Sequence, residues 1–197
     1  MGSRNSCMLQ PDEILEIKYK TSFTEKQIER LYSRFTALDK EQKGFLTKND
    51  LLRIPELSIN PLGERIVDAF FVDVVDEQIN FQQFMQTLAV FRPIKHKERK
   101  GTSELANSLE KKLEFAFRVY DVDNDGTITQ SEIVSILHMM VGDNISEEQL
   151  NSIAHRAVYE VIHCDENAPD RQITFEQFKK ALENIEFEQK MSIRFLH

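Results

Sequence analysis

The chain has 197 residues, 41% of them hydrophobic, enough to bury a core in one large domain or two small ones. Its net charge of −8 and pI of about 5.2 argue against a nucleic-acid partner, and no apolar run approaches the roughly 18 residues of a membrane span. The two cysteines, Cys7 and Cys164, match no zinc or redox spacing and read as reduced thiols of a cytosolic protein.

Residues 1–22 form an N-terminal segment. It is polar at its start, so no secretory leader is expected. "MGSRNS" has glycine second and serine sixth, the N-myristoylation pattern with Gly2 as acceptor; an ordinary disordered N-terminus is the plain alternative. One myristoyl chain binds a membrane only marginally, so a second signal is expected, and Cys7 is a candidate palmitoylation site.

An N-lobe follows over 23–91. Four short strings, "FLT", "QIN", "TIT" and "QIT", centre on Leu46, Ile79, Ile128 and Ile173, at intervals of 33, 49 and 45 residues. Each fits the eighth position of an EF-hand loop, where a short strand pairs with the partner loop. The fold expected is therefore all-α, in two lobes, each of two paired helix–loop–helix units joined by short β pairs. "TEKQIERLYSRFTALD" places Ile28, Leu31, Tyr32, Phe35 and Leu38 on one helix face, with Thr24 and Gln27 as a capping box. The first loop runs from Asp39 to Asp50. Lys43 stands at position five, where a ligand oxygen belongs, and Asp50 at twelve is one methylene short of bidentate reach. The second loop, "VDVVDEQINFQQ", has Val74 at three, Glu77 in place of glycine and Gln83 at twelve, so it is expected to be metal-free.

Residues 92–108 are read as a linker. "RPIKHKERK" carries five cations and His96, which suits either a solvated connection or contact with anionic lipid. The C-lobe, 109–190, opens with "LEKKLEFAFRVYD", whose apolar face holds Leu113, Ala116, Phe117 and Tyr120. The third loop, "DVDNDGTITQSE", matches the calcium pattern at every diagnostic position. Asp121, Asp123 and Asp125 take positions one, three and five. Thr127 offers its backbone carbonyl, Thr129 holds a bridging water and caps the exiting helix, and Glu132 supplies the bidentate carboxylate. Gly126 allows the sharp turn. Hard oxygens at this spacing select calcium, with magnesium a weaker competitor, and one calcium per chain is expected.

The exiting helix continues its stripe through Ile133, Ile136, Leu137 and Met140. Ser146 with Gln149 caps the next helix. The fourth loop lacks both the glycine and the twelfth-position acid, yet keeps Asp165, Glu166 and Asp170 as candidate weak ligands. Phe175, Phe178, Leu182 and Ile185 mark the last helix. An apolar tail, 191–197, presents Met191, Ile193, Phe195 and Leu196. Exposed, that tail is costly at about 25 cal/mol per Å², so it must dock on its own groove or on a partner. With Met139 and Met140, adaptable side chains of the kind that line helix-binding grooves, it makes up the candidate partner-helix site.

The strings "IPELSINPLGERI", "FFVD", "LAVFRPI", "MMVGDNISEEQL" and "EQKMSIRFLH" together resemble the calcineurin B homologous proteins over nearly the whole chain. The resemblance implies an N-myristoylated, calcium-binding, non-catalytic protein that binds a juxtamembrane helix in the tail of a plasma-membrane sodium/proton exchanger. It implies support of exchanger activity, surface delivery and pH set-point, at the cytoplasmic face of membranes. It also implies inhibition of calcineurin phosphatase and nuclear shuttling, with export-like sets Ile133, Ile136, Leu137, Met140, Val141 and Leu182, Ile185, Phe187; both sets lie on core helices. The family's third-hand ligands carry over completely and its fourth-hand ligands do not. Calcineurin B, the neighbouring family, is typified by four intact loops. The competing readings are a phosphatase regulatory subunit and a plain calcium buffer, for which a single site is a poor design. No nucleophile–base pair, phosphate loop or zinc spacing points to catalysis.

Overall fold

A computed structural model describes residues 9–93, 106–162, 172–183 and 190–191. Gly2, Cys7, Lys95–Lys100, Cys164, Asp165, Glu166, Asp170, Ile185, Phe187, Ile193, Phe195 and Leu196 lie outside the described residues.

The expected all-α, two-lobe EF-hand architecture is what the chain adopts. In the N-lobe, α1 (Pro11–Thr21), α2 (Glu25–Leu38), α3 (Lys48–Leu51), α4 (Pro55–Ser58), α5 (Gly63–Phe71) and α6 (Phe81–Val90) surround strands β1 (Phe45–Leu46) and β2 (Ile79–Asn80). In the C-lobe, α7 (Leu109–Tyr120), α8 (Gln130–Val141), α9 (Glu147–Ile162) and α10 (Phe175–Leu182) surround β3 (Thr127–Thr129) and β4 (Gln172–Thr174). The strands pair antiparallel, Leu46 opposite Ile79 and Ile128 opposite Ile173, in the register the four apolar strings predict. Pairing joins two hands because neither can bury its apolar face alone.

The helix starts follow their capping residues. The side chains of Thr24, Asn80, Thr129 and Thr174 each accept a hydrogen bond from the backbone N–H three residues on, and that residue's side-chain oxygen accepts one from the cap residue's own N–H. The N-lobe core gathers Phe23, Ile28, Leu31, Phe35, Leu46, Leu51, Val67, Ile79 and Met85. In the C-lobe, Phe117 meets Phe175 and Phe178 edge-on, each at 5.5 Å, beside Ile128, Val158 and Ile173. Met140 departs from the expected core stripe: the last turn of α8 carries Met139 and Met140 out to solvent before Gly142 ends the helix at φ 59.

Residues 11–21 form α1, a helix placed by Pro11 in its first turn and by Asp12 and Glu13 at its positive end. It packs Ile17 into the N-lobe core, so the N-lobe begins before residue 23. The linker boundaries also shift. Arg92 is buried and donates to the Thr21 carbonyl at 2.7 Å, with its guanidinium 5.2 Å from the centre of the Phe23 ring. Asn107 is buried and donates to the Pro93 carbonyl, while the Ser108 hydroxyl caps α7. These residues are pulled into structure because the ends of α1 and α7 need partners for their orphan backbone groups.

The lobes are in contact. Ala69, Phe115 and Val119 form a third buried cluster with Ile66, Phe70, Val90, Phe91 and Met191 against it. Two buried cations cross this seam. From α7, Lys112 is fully buried and its ammonium reaches the Val90 and Arg92 carbonyls, at 2.6 and 2.9 Å, where α6 ends. From α5, Arg65 reaches the end of α7. Each lobe thus caps a helix C-terminus of the other, where unpaired carbonyls and the helix dipole favour a cation.

Candidate metal centre

The third loop is shaped by its own hydrogen bonds. Asn124 and Gly126 adopt φ of 58 and 89, and the turn at Gly126 is the one that a side chain would strain. Asp121 Oδ1 accepts from the Asp125 N–H at 3.2 Å, and Oδ2 from the Gly126 N–H at 3.1 Å. Glu132, in the first turn of α8, folds back over the loop. Its Oε1 accepts from Val122 N at 2.7 Å and its Oε2 from Thr129 N at 2.7 Å.

Carboxylate oxygens of Asp121, Asp123 and Glu132 lie within 4.8 Å of one another. Asp121 and Glu132 are buried and Asp123 is exposed. Burial, with the charges of Glu132 and Asp125 added, raises the Asp121 carboxyl above its ordinary range despite the Gly126 hydrogen bond. Three hard oxygens held close at an energetic cost fit a calcium ion. Asp125 stands apart from this trio: its Oδ1 accepts from the Thr127 N–H and hydroxyl at 2.8 and 2.7 Å.

The first loop has the same outline and a different content. Gly44 makes the turn at φ 83. Asp39 accepts from Lys43 N and Gly44 N at 2.9 and 2.7 Å, as Asp121 does from Asp125 and Gly126. Where a metal would meet the twelfth-position acid, the Lys43 ammonium sits 3.0 Å from Asp50 Oδ2. Thr47 donates twice to the same oxygen, and Arg53 bonds Oδ1 at 3.0 Å. Burial opposes ionisation of Asp50, but Thr47 and Lys43 together outweigh it and hold the carboxyl below its usual range. This loop carries its own cation. In the second loop Asp76 and Glu77 take φ of 70 and 52, and Glu77 pairs with Lys48 at 3.2 Å instead of facing inward.

Of the candidate groove residues, Met139 and Met140 are exposed on α8, while Met191 packs into the interlobe cluster. They do not share one cluster among the described residues. Ile153 and Tyr159, exposed on α9, add to the C-lobe's apolar surface.

One residue beside the metal centre has no sequence signal pointing to it. Arg65 Nη2 donates to the Asp121 carbonyl at 2.9 Å and the Arg118 carbonyl at 3.1 Å, and Nε donates to the Val119 carbonyl at 3.1 Å. An arginine between glutamate and isoleucine reads as a surface charge; only the packing of α5 on α7 brings it to the loop.

An EF-hand domain-pair profile matches residues 110–183. The chain is 41% identical to the calcineurin B protein of Naegleria gruberi, over 98% of this chain and 99% of that one. It is 35% identical to the type 1 calcineurin B protein of Dictyostelium discoideum, over 99% of each chain. The type 2 protein of the same organism is 42% identical, over 77% of this chain and 76% of its own length. The chain belongs to the calcineurin B family. It is a non-catalytic, calcium-binding EF-hand protein. Among the described residues no helix is long and apolar enough to cross a membrane.

Proposed function

We propose that the chain is the calcium-binding regulatory subunit of a calcineurin-type protein phosphatase and holds an amphipathic helix of the catalytic subunit. This shifts the weight from the exchanger partner expected on sequence to the phosphatase partner. The observation that carries it is the end-to-end similarity to calcineurin B proteins, around a loop whose carboxylates converge. Asp121, Asp123 and Glu132, with Asp125 and the Thr127 carbonyl, are the groups that would hold the calcium. Bound calcium supplies the positive charge that offsets the crowding of Asp121 and Glu132. The chain's own work is to hold those carboxylates close and to present an apolar face for the helix.

The sodium/proton exchanger helix stays as a second reading, favoured by one observation. Lys43 fills the first loop, so that hand cannot take a metal as an intact calcineurin B hand would. Myristoylation at Gly2 belongs to either reading and, with a second signal such as the basic 92–100 stretch or Cys7, would bring the chain to the cytoplasmic face of membranes.

Titration calorimetry with calcium, alone and with each helix peptide, tests both proposals. Calcium should bind in the roughly 10⁻⁷ to 10⁻⁵ M range of sensor sites, and Glu132→Gln should abolish that binding. The phosphatase helix should bind with or without calcium and tighten about 5- to 150-fold in its presence. Binding of the exchanger helix alone would reverse the assignment. Tight calcium binding by Glu132→Gln would refute the site.

A further inference from the structure

We infer that Arg65 is a positioning residue for the calcium loop, and that through it the metal-free N-lobe senses calcium bound in the C-lobe. The inference rests on the third loop being the calcium site.

The argument starts from what Arg65 touches. The residue is 8% exposed, and its guanidinium engages three backbone carbonyls of the other lobe, those of Arg118, Val119 and Asp121. The first two end α7. The third belongs to the first ligand residue of the loop. These carbonyls sit at the negative end of a helix, and charge-assisted hydrogen bonds are stronger than neutral ones. A buried guanidinium that lost them would have no solvent to replace them. Arg65 therefore holds the Asp121 backbone in place, and with it the direction in which the Asp121 carboxylate points.

The other side of Arg65 is anchored in the N-lobe. Nη1 donates to Asp68 Oδ2 at 3.1 Å. Asp68 Oδ1 pairs with Lys48 at 3.0 Å, and Lys48 pairs with Glu77 at 3.2 Å. Lys48, at the tenth position of the first loop, begins α3, and Glu77 lies in the second loop. An unbroken chain of charged contacts thus runs from both N-lobe loops to the carbonyl of Asp121. Arg118, one of the residues whose carbonyl Arg65 grips, also pairs with Asp73 across the seam.

Whatever fixes the Asp121 backbone stabilises its contacts with Arg65, and linkage makes the effect reciprocal. Calcium in the third loop should therefore slow opening of α5, which touches no metal. Conversely, loosening Arg65 should weaken the calcium site without removing any ligand. The two degenerate hands then have a use besides bulk: they brace a cation that orients the working one.

Hydrogen exchange read by mass spectrometry, on the full chain with calcium and with chelator, tests this. In the unaltered protein calcium should protect amides of 121–132, and should slow exchange in α5 by about 5-fold or more. In Arg65→Met the 121–132 amides should still respond, at a weaker calcium affinity, while α5 no longer does. Asp68→Asn, a half-exposed change that leaves the guanidinium in place, should halve the α5 response or more, and serves if Arg65→Met fails to fold. Protection of 121–132 with none in α5 would overturn the inference alone. So would an α5 response that survives both substitutions. No protection of 121–132 in the unaltered protein would overturn the metal site and this inference with it.

Discussion

Lys43 and Asp50 show how one side chain changes what a loop does. The Asp50 side chain is nearly buried, and its charge is stabilised by Thr47 and by the Lys43 ammonium. The folded carboxyl is depressed, so its contribution to stability is present above the unfolded value, about 3.9, and is lost as pH falls through the lower folded one. Lys43→Gln removes one of the two cations on Asp50, leaving Arg53 and Thr47 to oppose the burial. Acid unfolding followed by circular dichroism in chelator should then begin at a higher pH than in the unaltered chain. Stability at neutral pH should drop by about 1–3 kcal/mol. An unmoved acid midpoint would mean that Thr47 and Arg53 suffice to hold the carboxylate.

At the scale of elements, α4 and α5 meet at Gly63. A Cβ built there would lie 1.9 Å from the Leu57 carbonyl oxygen, which is backbone and cannot rotate away. Gly63→Ala should force the two helices apart at a cost of about 1–3 kcal/mol, measurable by urea unfolding. Because α5 carries Arg65, the same change should also disturb the seam. The helices and strand pairs were legible because capping residues and apolar periods are local signals: Thr24, Thr129 and Ile128 announce themselves within a few positions. Helix α1 was equally local, in Pro11, Asp12 and the Ile14–Ile17 spacing, but the lipidation pattern ahead of it drew the whole segment into one reading. The metal ligands were legible for the same reason. Arg65, Arg92 and Lys112 were not. Each is a cation whose partners are carbonyls 20 to 71 residues away, and no carbonyl has a sequence signature.

For the whole molecule, the seam makes two lobes behave as one body. Lys112 has no exposed surface and satisfies carbonyls at the end of α6. Lys112→Met keeps most of its volume but leaves Val90 and Arg92 short of a donor. The expected loss is about 2–4 kcal/mol, with unfolding of the two lobes becoming separable in a denaturant titration followed by hydrogen exchange. A single unchanged transition would show that Arg65, the Arg118–Asp73 pair and the apolar contacts of Phe115 and Val119 suffice to hold the lobes together.

The ammonium that Lys43 lodges in the first loop also sets the shape of the dose–response curve. Sites that load cooperatively sharpen a calcium signal, because filling one eases filling of the next. A hand whose cation is covalently attached has nothing to load, and its neighbour has valine at its first and third positions, Val72 and Val74, where ligand oxygens belong. If the third loop is the one site, as proposed, occupancy would climb gradually, over roughly two decades of free calcium from mostly empty to mostly full. A single-site protein of this kind would report the amplitude and duration of a calcium transient in proportion, and leave threshold behaviour to whatever it is bound to.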